Sequence, residues 1–514
     1  MTGRESPSPG TVWEKATHFA GIAGVVLAAA FFLVWQAMHR GLAQYVTAIY
    51  PFDDADEWRY TACSRLVEHG YALFSQVFSA QPPLLFLSLA AGMRLGGDSI
   101  QGARLTEMGF GLLALVAAAW LAWQLSGPLA GGIAALLLAV SPAFLVYGRA
   151  VEAEGPMMAL VTLSLAVALR ARCSRSNSLS LLAGLILAGA ILVKLFAIEA
   201  IVPALWLLVC PLSGINRQVP ATEPAGTRFG RPAQRQMAPA GLFLLGAGLP
   251  VVADLIFISP AAQWSQVVTL HDRVAGMALP GQASAVTVLL HFLALDLGLT
   301  VLAAAGIITL LLIRAWYQGL FLLLWAGGTA LMLVLFRPLF PHHPAILLTA
   351  LGVSAGCGIA ELFGSLPRPR TFLLPMAAAV LLYLALTPRL VHDDRHVLIP
   401  GYRPDVLALA PYVAAHDMPA QMIAVDDLAI ADLAHRLVAP PLCDPSNVRL
   451  HAGYLTANDL INATRQYRVH LVLPSSSIYA QVPGYMRWLQ VHYRAARAPA
   501  GKTAFFGPKN ILLR

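Results

Sequence analysis

Uninterrupted apolar runs of helical length recur along this chain of 514 residues, separated by short gaps in which arginines cluster. About 20 helical residues cross the ~30 Å hydrocarbon layer of a bilayer, where only helices or closed barrels satisfy their own backbone. Phe19 to Met38 is one such run without a charged residue. Its length exceeds that of a cleavable signal core and its basic flank is weak, so it reads as a retained span. A chain that is 58% hydrophobic and 12% charged, with mean hydropathy +0.67, is not a water-soluble globular protein of this length.

Spans fit residues 17–39, 104–124, 128–148, 156–170, 178–195, 197–213, 239–259, 288–313, 319–336, 344–364 and 371–390, about eleven in all. The arginine clusters at Arg170, Arg172 and Arg175, at Arg217, Arg228, Arg231 and Arg235, at Arg314, and at Arg368 and Arg370 then all fall on one side. By the positive-inside rule that side is cytoplasmic, with the N-terminus inside and the loops at 40–103, 149–155, 260–287 and 337–343 outside. The net charge of +8 is therefore a topology signal, and no nucleic acid is expected as partner. The expected location is a bacterial inner membrane.

The apolar piece from Pro82 to Leu95, PPLLFLSLAAGMRL, is too short to cross and is bounded by two prolines and by Gly96 and Gly97. It reads as an interfacial or re-entrant helix, because counting it as a span would put the Arg170 and Arg217 clusters outside. Residues 1–390 thus form a membrane domain whose outer loop 40–103 is the candidate catalytic segment. Residues 391–514 have the composition of a small α/β domain on the extracytoplasmic side. Within it Gln421–Val425 and His470–Leu473 read as strands, and Leu428–Leu437 and Ala457–Tyr467 as helices.

Cys63, Cys173, Cys210, Cys357 and Cys443 show neither a CxxC pair nor regular spacing. Cys63 and Cys443 could pair if both lie outside, but spacing alone does not predict it.

Chemistry is expected in the segment PFDDADEWRY, which sets Asp53, Asp54, Asp56, Glu57, Arg59 and Tyr60 beside the membrane surface. Two adjacent carboxylates project in different directions, so one can act on substrate while a cation or the backbone holds the other. A second acidic loop, RAVEAEGP, places Arg149 and Glu154 on the same side, just before the helix that Pro156 opens. Paired carboxylates serve to deprotonate a sugar-accepting hydroxyl.

The order of these motifs resembles the GT-C glycosyltransferases, of the protein O-mannosyltransferase and aminoarabinose (lipid A) transferase type. The likeness rests on a DE-x-R-Y loop, a Pro-Pro-Leu helix, Arg104 opening the next span, Ser141–Pro142 in the third, and R-x4-acid-x-P. It implies an all-α polytopic membrane fold, and an inverting transfer from a polyprenyl-phosphate-linked sugar to a glycolipid, glycan or protein hydroxyl. Asp56 then matches the catalytic aspartate of the first loop, Glu57, Arg59 and Tyr60 match its neighbours, and Glu154 stands at the second acidic position. The resemblance allows a divalent metal, but the usual Glu-Lys before the proline step is Ala80–Gln81 here. No other cofactor is indicated.

A departing lipid phosphate needs cations aimed at its oxygens, and Arg59, Arg149, Lys194, Arg273 and Arg337 are the candidates. His342 and His343 could add donors; being adjacent, they should point apart, and their spacing fits no metal motif. The competing reading is a transporter or flippase of a lipid-linked or acidic compound, resting on Lys194, Glu199, Asp254 and Asp296 in or near spans. In that reading Asp296 would look to His291 for a partner. No repeated halves support it.

Overall fold

The computed structural model describes residues 9–39, 55–210, 233–277, 283–364, 373–386 and 403–507. Asp53, Asp54, Arg217, Arg228, Arg231, Arg368 and Arg370 lie outside them. Each of the expected spans is largely helical over its described residues. The helices are α1 Pro9–His39, α2 Ala55–Glu68, α3 Pro83–Gly96, α4 Ile100–Ser126, α5 Pro128–Val140, α6 Pro142–Tyr147, α7 Glu154–Ser174, α8 Asn177–Val193 and α9 Ile201–Val209. They continue with α10 Ala233–Phe257, α11 Pro260–Gln263, α12 Leu270–Ala275, α13 Ala285–Leu295, α14 Leu297–Leu312, α15 Trp316–Leu335, α16 Leu348–Gly364 and α17 Leu373–Leu386. Six among the described residues are long and apolar enough to cross a bilayer, seven if α13 and α14 count as one span. The segments at 128–140, 177–193 and 195–209 are apolar but shorter, so length does not bear out the full count of about eleven. The chain is a multi-pass membrane protein.

At the centre α4, α5, α7 and α16 pack on one another, while α1 and α10 lie at the rim and turn Val26, Phe31, Leu249 and Ile256 outward. That outward apolar stripe suits lipid rather than water.

The expected span 288–313 is broken. α13 and α14 meet at 95° around Asp296, whose Oδ2 accepts a hydrogen bond from Ser141 Oγ at 2.5 Å. Asp296 is buried and takes Ser141, not His291, as its partner. A buried carboxylate needs a donor close by, and the kink brings one. Ser141 also caps α6 by accepting from the Phe144 amide, so the Ser-Pro step breaks its own span at the same depth.

Two short helices carry the outer loop. α2 places Asp56 and Glu57 in its first turn, complementing the positive end of the helix dipole. α3 begins at Pro83 and buries Phe86, Leu89, Ala90 and Met93 at helical spacing, leaving Leu87 and Leu95 exposed. It packs on α2 and α4 and, at 14 residues, is shorter than a full span. The contact with α4 is close: a Cβ on Gly102 would come within 2.4 Å of the Gly97 carbonyl oxygen and 2.9 Å of Met93 Cα.

The C-terminal domain holds a four-stranded sheet in the order β1 (Ile423–Val425), β2 (Leu471–Leu473), β4 (Thr503–Phe506), β3 (Arg494–Arg497). β1 and β2 are parallel and coincide with the two expected strands, and the helices Leu428–Leu433 and Ala457–Gln466 fall in the expected segments. β3 and β4, antiparallel at the other edge, are not anticipated from sequence, since RAAR has no apolar alternation to mark it. Cys63 of α2 and Cys443 are disulfide-bonded, with Cα atoms 5.3 Å apart. Spacing could not predict the bond because the partners are 380 residues apart. It places the outer loop and the C-terminal domain on one side of the membrane.

Candidate active site

α2 presents Asp56, Arg59 and Tyr60 along one face, one turn apart. Arg59 Nη1 donates to Asp56 Oδ1 at 2.5 Å, and the Tyr60 hydroxyl donates to Asp56 Oδ2 at 3.4 Å. Gln81, standing where the resemblance leads one to expect a lysine, donates its Nε2 to the Tyr60 oxygen at 3.2 Å. Burial, reinforced by the charges of Asp56, Glu152 and Glu154, pushes the Tyr60 phenol well above its ordinary range. Tyr60 is thus a neutral donor. Asp56 is only partly buried.

The adjacent acid has a different environment. Glu57 is buried, and Arg104 grips it through Nε to Oε1 at 2.8 Å and Nη2 to Oε2 at 2.7 Å. The Val151 amide also donates to Oε1, at 3.3 Å. Glu57 therefore ties α2 to α4 and to the second acidic loop, whereas Asp56 faces the cluster described next.

Glu154 opens α7 and is fully buried. Lys194 Nζ pairs with its Oε1. Lys194 sits in extended backbone between α8 and the turn Leu195–Ala200, with its ammonium 5.0 Å from the centre of the Phe196 ring. Oε2 of Glu154 accepts no hydrogen bond among the described residues. Between the two loops stands His342, whose Nε2 lies 3.8 Å from Asp56 Oδ2 and 3.9 Å from Glu154 Oε1. Glu152 approaches the same space: one ligand-type atom from each of Asp56, Glu152 and His342 fits within a 4.8 Å span.

The histidines do not point apart. Their ring centres are 4.6 Å from each other, and both rings approach Glu154. The irregular backbone before the short turn His343–Leu347 removes the divergence that a helix or strand would impose. His343 is wedged edge-on among Phe196, Phe336 and Phe340.

The remaining candidate cations have the following surroundings. Arg149 is wholly buried, its guanidinium 6.0 Å from the centre of the Trp35 ring. Arg337 is exposed at the end of α15 and forms no ion pair among the described residues. Arg273 lies over the Tyr454 ring at 5.2 Å. The groups that suggested transport have local partners instead: Asp254 accepts from Gln263 at 2.6 Å, Asp296 from Ser141, Glu199 bonds Thr329, and Lys194 belongs to Glu154.

Sequence reasoning did not single out Glu152, Glu107 or Asp444. Glu152 had a signal, its place two residues before Glu154 in one loop. Glu107 had another, an acid inside a span; it is buried, with Oε2 2.8 Å from where a Cβ on Gly155 would stand. Asp444 had none, because only the tertiary fold brings it to Arg59, whose Nε is 3.5 Å from its Oδ1.

Two donor sets have the spacing for a cation, Glu154 with His342 and His343, and Asp56 with Glu152 and His342. In each set one acid already carries a cation. Lys194 already neutralises Glu154, Arg59 already neutralises Asp56, and Nδ1 of His343 accepts the Phe340 amide at 3.3 Å. Hard divalent cations need carboxylates that are not already matched by ammonium or guanidinium groups.

The dolichyl-phosphate-mannose-protein mannosyltransferase family matches residues 80–220. Comparison with curated protein sequences finds no match. Among solved structures, ArnT from Cupriavidus metallidurans in the apo state is 16% identical with a TM-score of 0.63, over 95% of this chain and 100% of that one. The same protein bound to undecaprenyl phosphate gives 16% and 0.64, over 94% and 99%. The archaeal oligosaccharyltransferase AglB from Archaeoglobus fulgidus, in complex with an inhibitory peptide and a dolichol-phosphate, gives 14% and 0.54, over 96% and 75%. The fold is that of the GT-C membrane glycosyltransferases, as the motif order suggested.

Proposed function

We propose that this protein is an inverting membrane glycosyltransferase that moves a sugar from a polyprenyl-phosphate donor to a hydroxyl group outside the cytoplasmic membrane. The observation that carries it is the convergence of Asp56 and Glu154, from loops about a hundred residues apart, on the single ring of His342. The likeness to an ArnT structure bound to undecaprenyl phosphate supports the class of donor. The N-terminus would be cytoplasmic, in a bacterial inner membrane, with the C-terminal domain outside. The acceptor would be a glycolipid, a glycan or a protein.

In this reading Asp56 takes the proton of the acceptor hydroxyl, whose oxygen attacks the anomeric carbon as the bond to the phosphate oxygen breaks. The polyprenyl phosphate leaves as an anion, with Arg59 and Lys194 supplying charge to its oxygens and His342 a hydrogen bond. Arg337, exposed at the end of α15, is available to a phosphate at the surface. Glu154 holds Lys194 and orients His342. Tyr60, kept neutral, fixes the second oxygen of Asp56. Glu57 acts through the fold, and none of these steps is routed through a metal.

The test is transfer from synthetic undecaprenyl-phosphate sugars by the purified full chain in lipid nanodiscs. Asp56→Asn should abolish transfer while leaving the unfolding temperature unchanged. Near-normal turnover by that variant would refute the reading.

A further inference from the structure

Arg59 is held from two directions. Its Nη1 meets Asp56 on its own helix, and its Nε faces Asp444 of the C-terminal domain at 3.5 Å. Asp444 is buried, and its Oδ1 accepts no hydrogen bond among the described residues, so the ion pair with Arg59 answers that charge directly. Arg449 and His271 also face it electrostatically.

The segment bearing Asp444 is built to stay in place. Arg449, itself buried, donates to the carbonyl oxygens of Pro441 (2.6 Å), Asp444 (3.2 Å) and Tyr454 (3.1 Å), and lies 3.8 Å over the Phe78 ring of the outer loop. The neighbouring residue, Cys443, is cross-linked to Cys63. Cys63 stands four residues after Arg59 on α2, one turn along the same face. Adjacent residues of the C-terminal domain therefore grip one face of the catalytic helix at two successive turns, by a covalent bond and by an ion pair.

We propose that Asp444 is a positioning residue for the site, and that the Cys63–Cys443 bond keeps it there. It draws the Arg59 guanidinium toward the C-terminal domain, so that Asp56 does not take both edges of it and part of its charge stays available to the donor phosphate. The C-terminal domain is then part of the catalytic unit, and binding of a lipid phosphate depends on the oxidation state of one cystine. This inference rests on the proposed donor class.

The experiment measures binding of undecaprenyl phosphate to the full chain in nanodiscs. Removing a negative charge near an anion site should by itself tighten phosphate binding. Positioning predicts the opposite sign: Asp444→Asn should weaken it by about fivefold to tenfold, of the order of 1 kcal/mol. Asp444→Glu should restore most of the affinity, and Asp444→Asn should have no effect once Arg59 is Ala. Cys443→Ser, or reduction with a phosphine, should weaken binding to a similar degree, with Asp444→Asn adding little to it. Thermal unfolding of each variant identifies any that fails to fold, and reduction of the unaltered chain supplies the same comparison without a mutation. Tighter or unchanged binding by a folded Asp444→Asn protein, with Arg59→Ala still weakening it, overturns the positioning role alone. No binding of undecaprenyl phosphate by the unaltered chain overturns both this inference and the donor class on which it rests.

Discussion

Arg104 closes on both carboxylate oxygens of Glu57, at 2.8 and 2.7 Å, in a site where both side chains are buried. The pair separates the roles of two acids that are neighbours in sequence. Removing one member strands the other charge in the interior, which typically costs about 3–5 kcal/mol. Arg104→Met and Glu57→Leu should each lower the unfolding temperature sharply in detergent. Replacing both together should be milder than either alone, because no charge is then left unmatched. Unfolding temperatures of the four proteins check this, and an unshifted Arg104→Met protein would contradict it.

His342 contacts both acidic loops, so its loss should affect the reaction more than the fold. His342→Ala is expected to lower kcat by roughly a hundredfold, a typical magnitude for a positioned proton-transfer or hydrogen-bonding group. KM for the lipid donor should change much less. His343→Phe should retain most of kcat, since that ring is packed among Phe196, Phe336 and Phe340. Equal losses from the two substitutions would remove the distinction.

The cations already seated on the carboxylates predict the response to chelation. Exhaustive treatment with EDTA should leave turnover within about twofold, in contrast to enzymes whose metal must be bound for activity. Restoration of lost activity by a divalent salt would show that the acids do hold a metal.

The helical runs and the two acidic loops were legible because apolar length and charge placement are local signals. The short helix Pro83–Gly96 was legible for the same reason, being bounded by prolines and glycines. Other features were settled only by tertiary contact. The break at Asp296 depends on Ser141, 155 residues away, and the nearness of His342 to His343 depends on irregular backbone that spacing rules do not anticipate. The grip of Cys443 and Asp444 on α2 joins parts of the chain that carry no shared motif.

Asp432 gives a pH test of the seam between the C-terminal domain and α2, where it lines a small space with Trp58, Ala62 and Arg65. Burial raises its carboxyl from 3.8 to about 6, against the opposing pull of Arg65, His435 and Arg104. As pH rises from about 4 to 6, the unfolded chain releases this proton before the folded one does. The folded state binds more protons across that window, so stability falls through it and the deficit is complete above pH 6. A shift of this size corresponds to roughly 3 kcal/mol. Asp432→Asn removes the titration while keeping an oxygen for the Ile100 amide. The variant should therefore unfold at a higher temperature than the unaltered protein at pH 7.5, and the difference should shrink toward pH 4.5. A difference that is constant with pH, or that grows in acid, would show that Asp432 is ionised in the folded protein throughout this range.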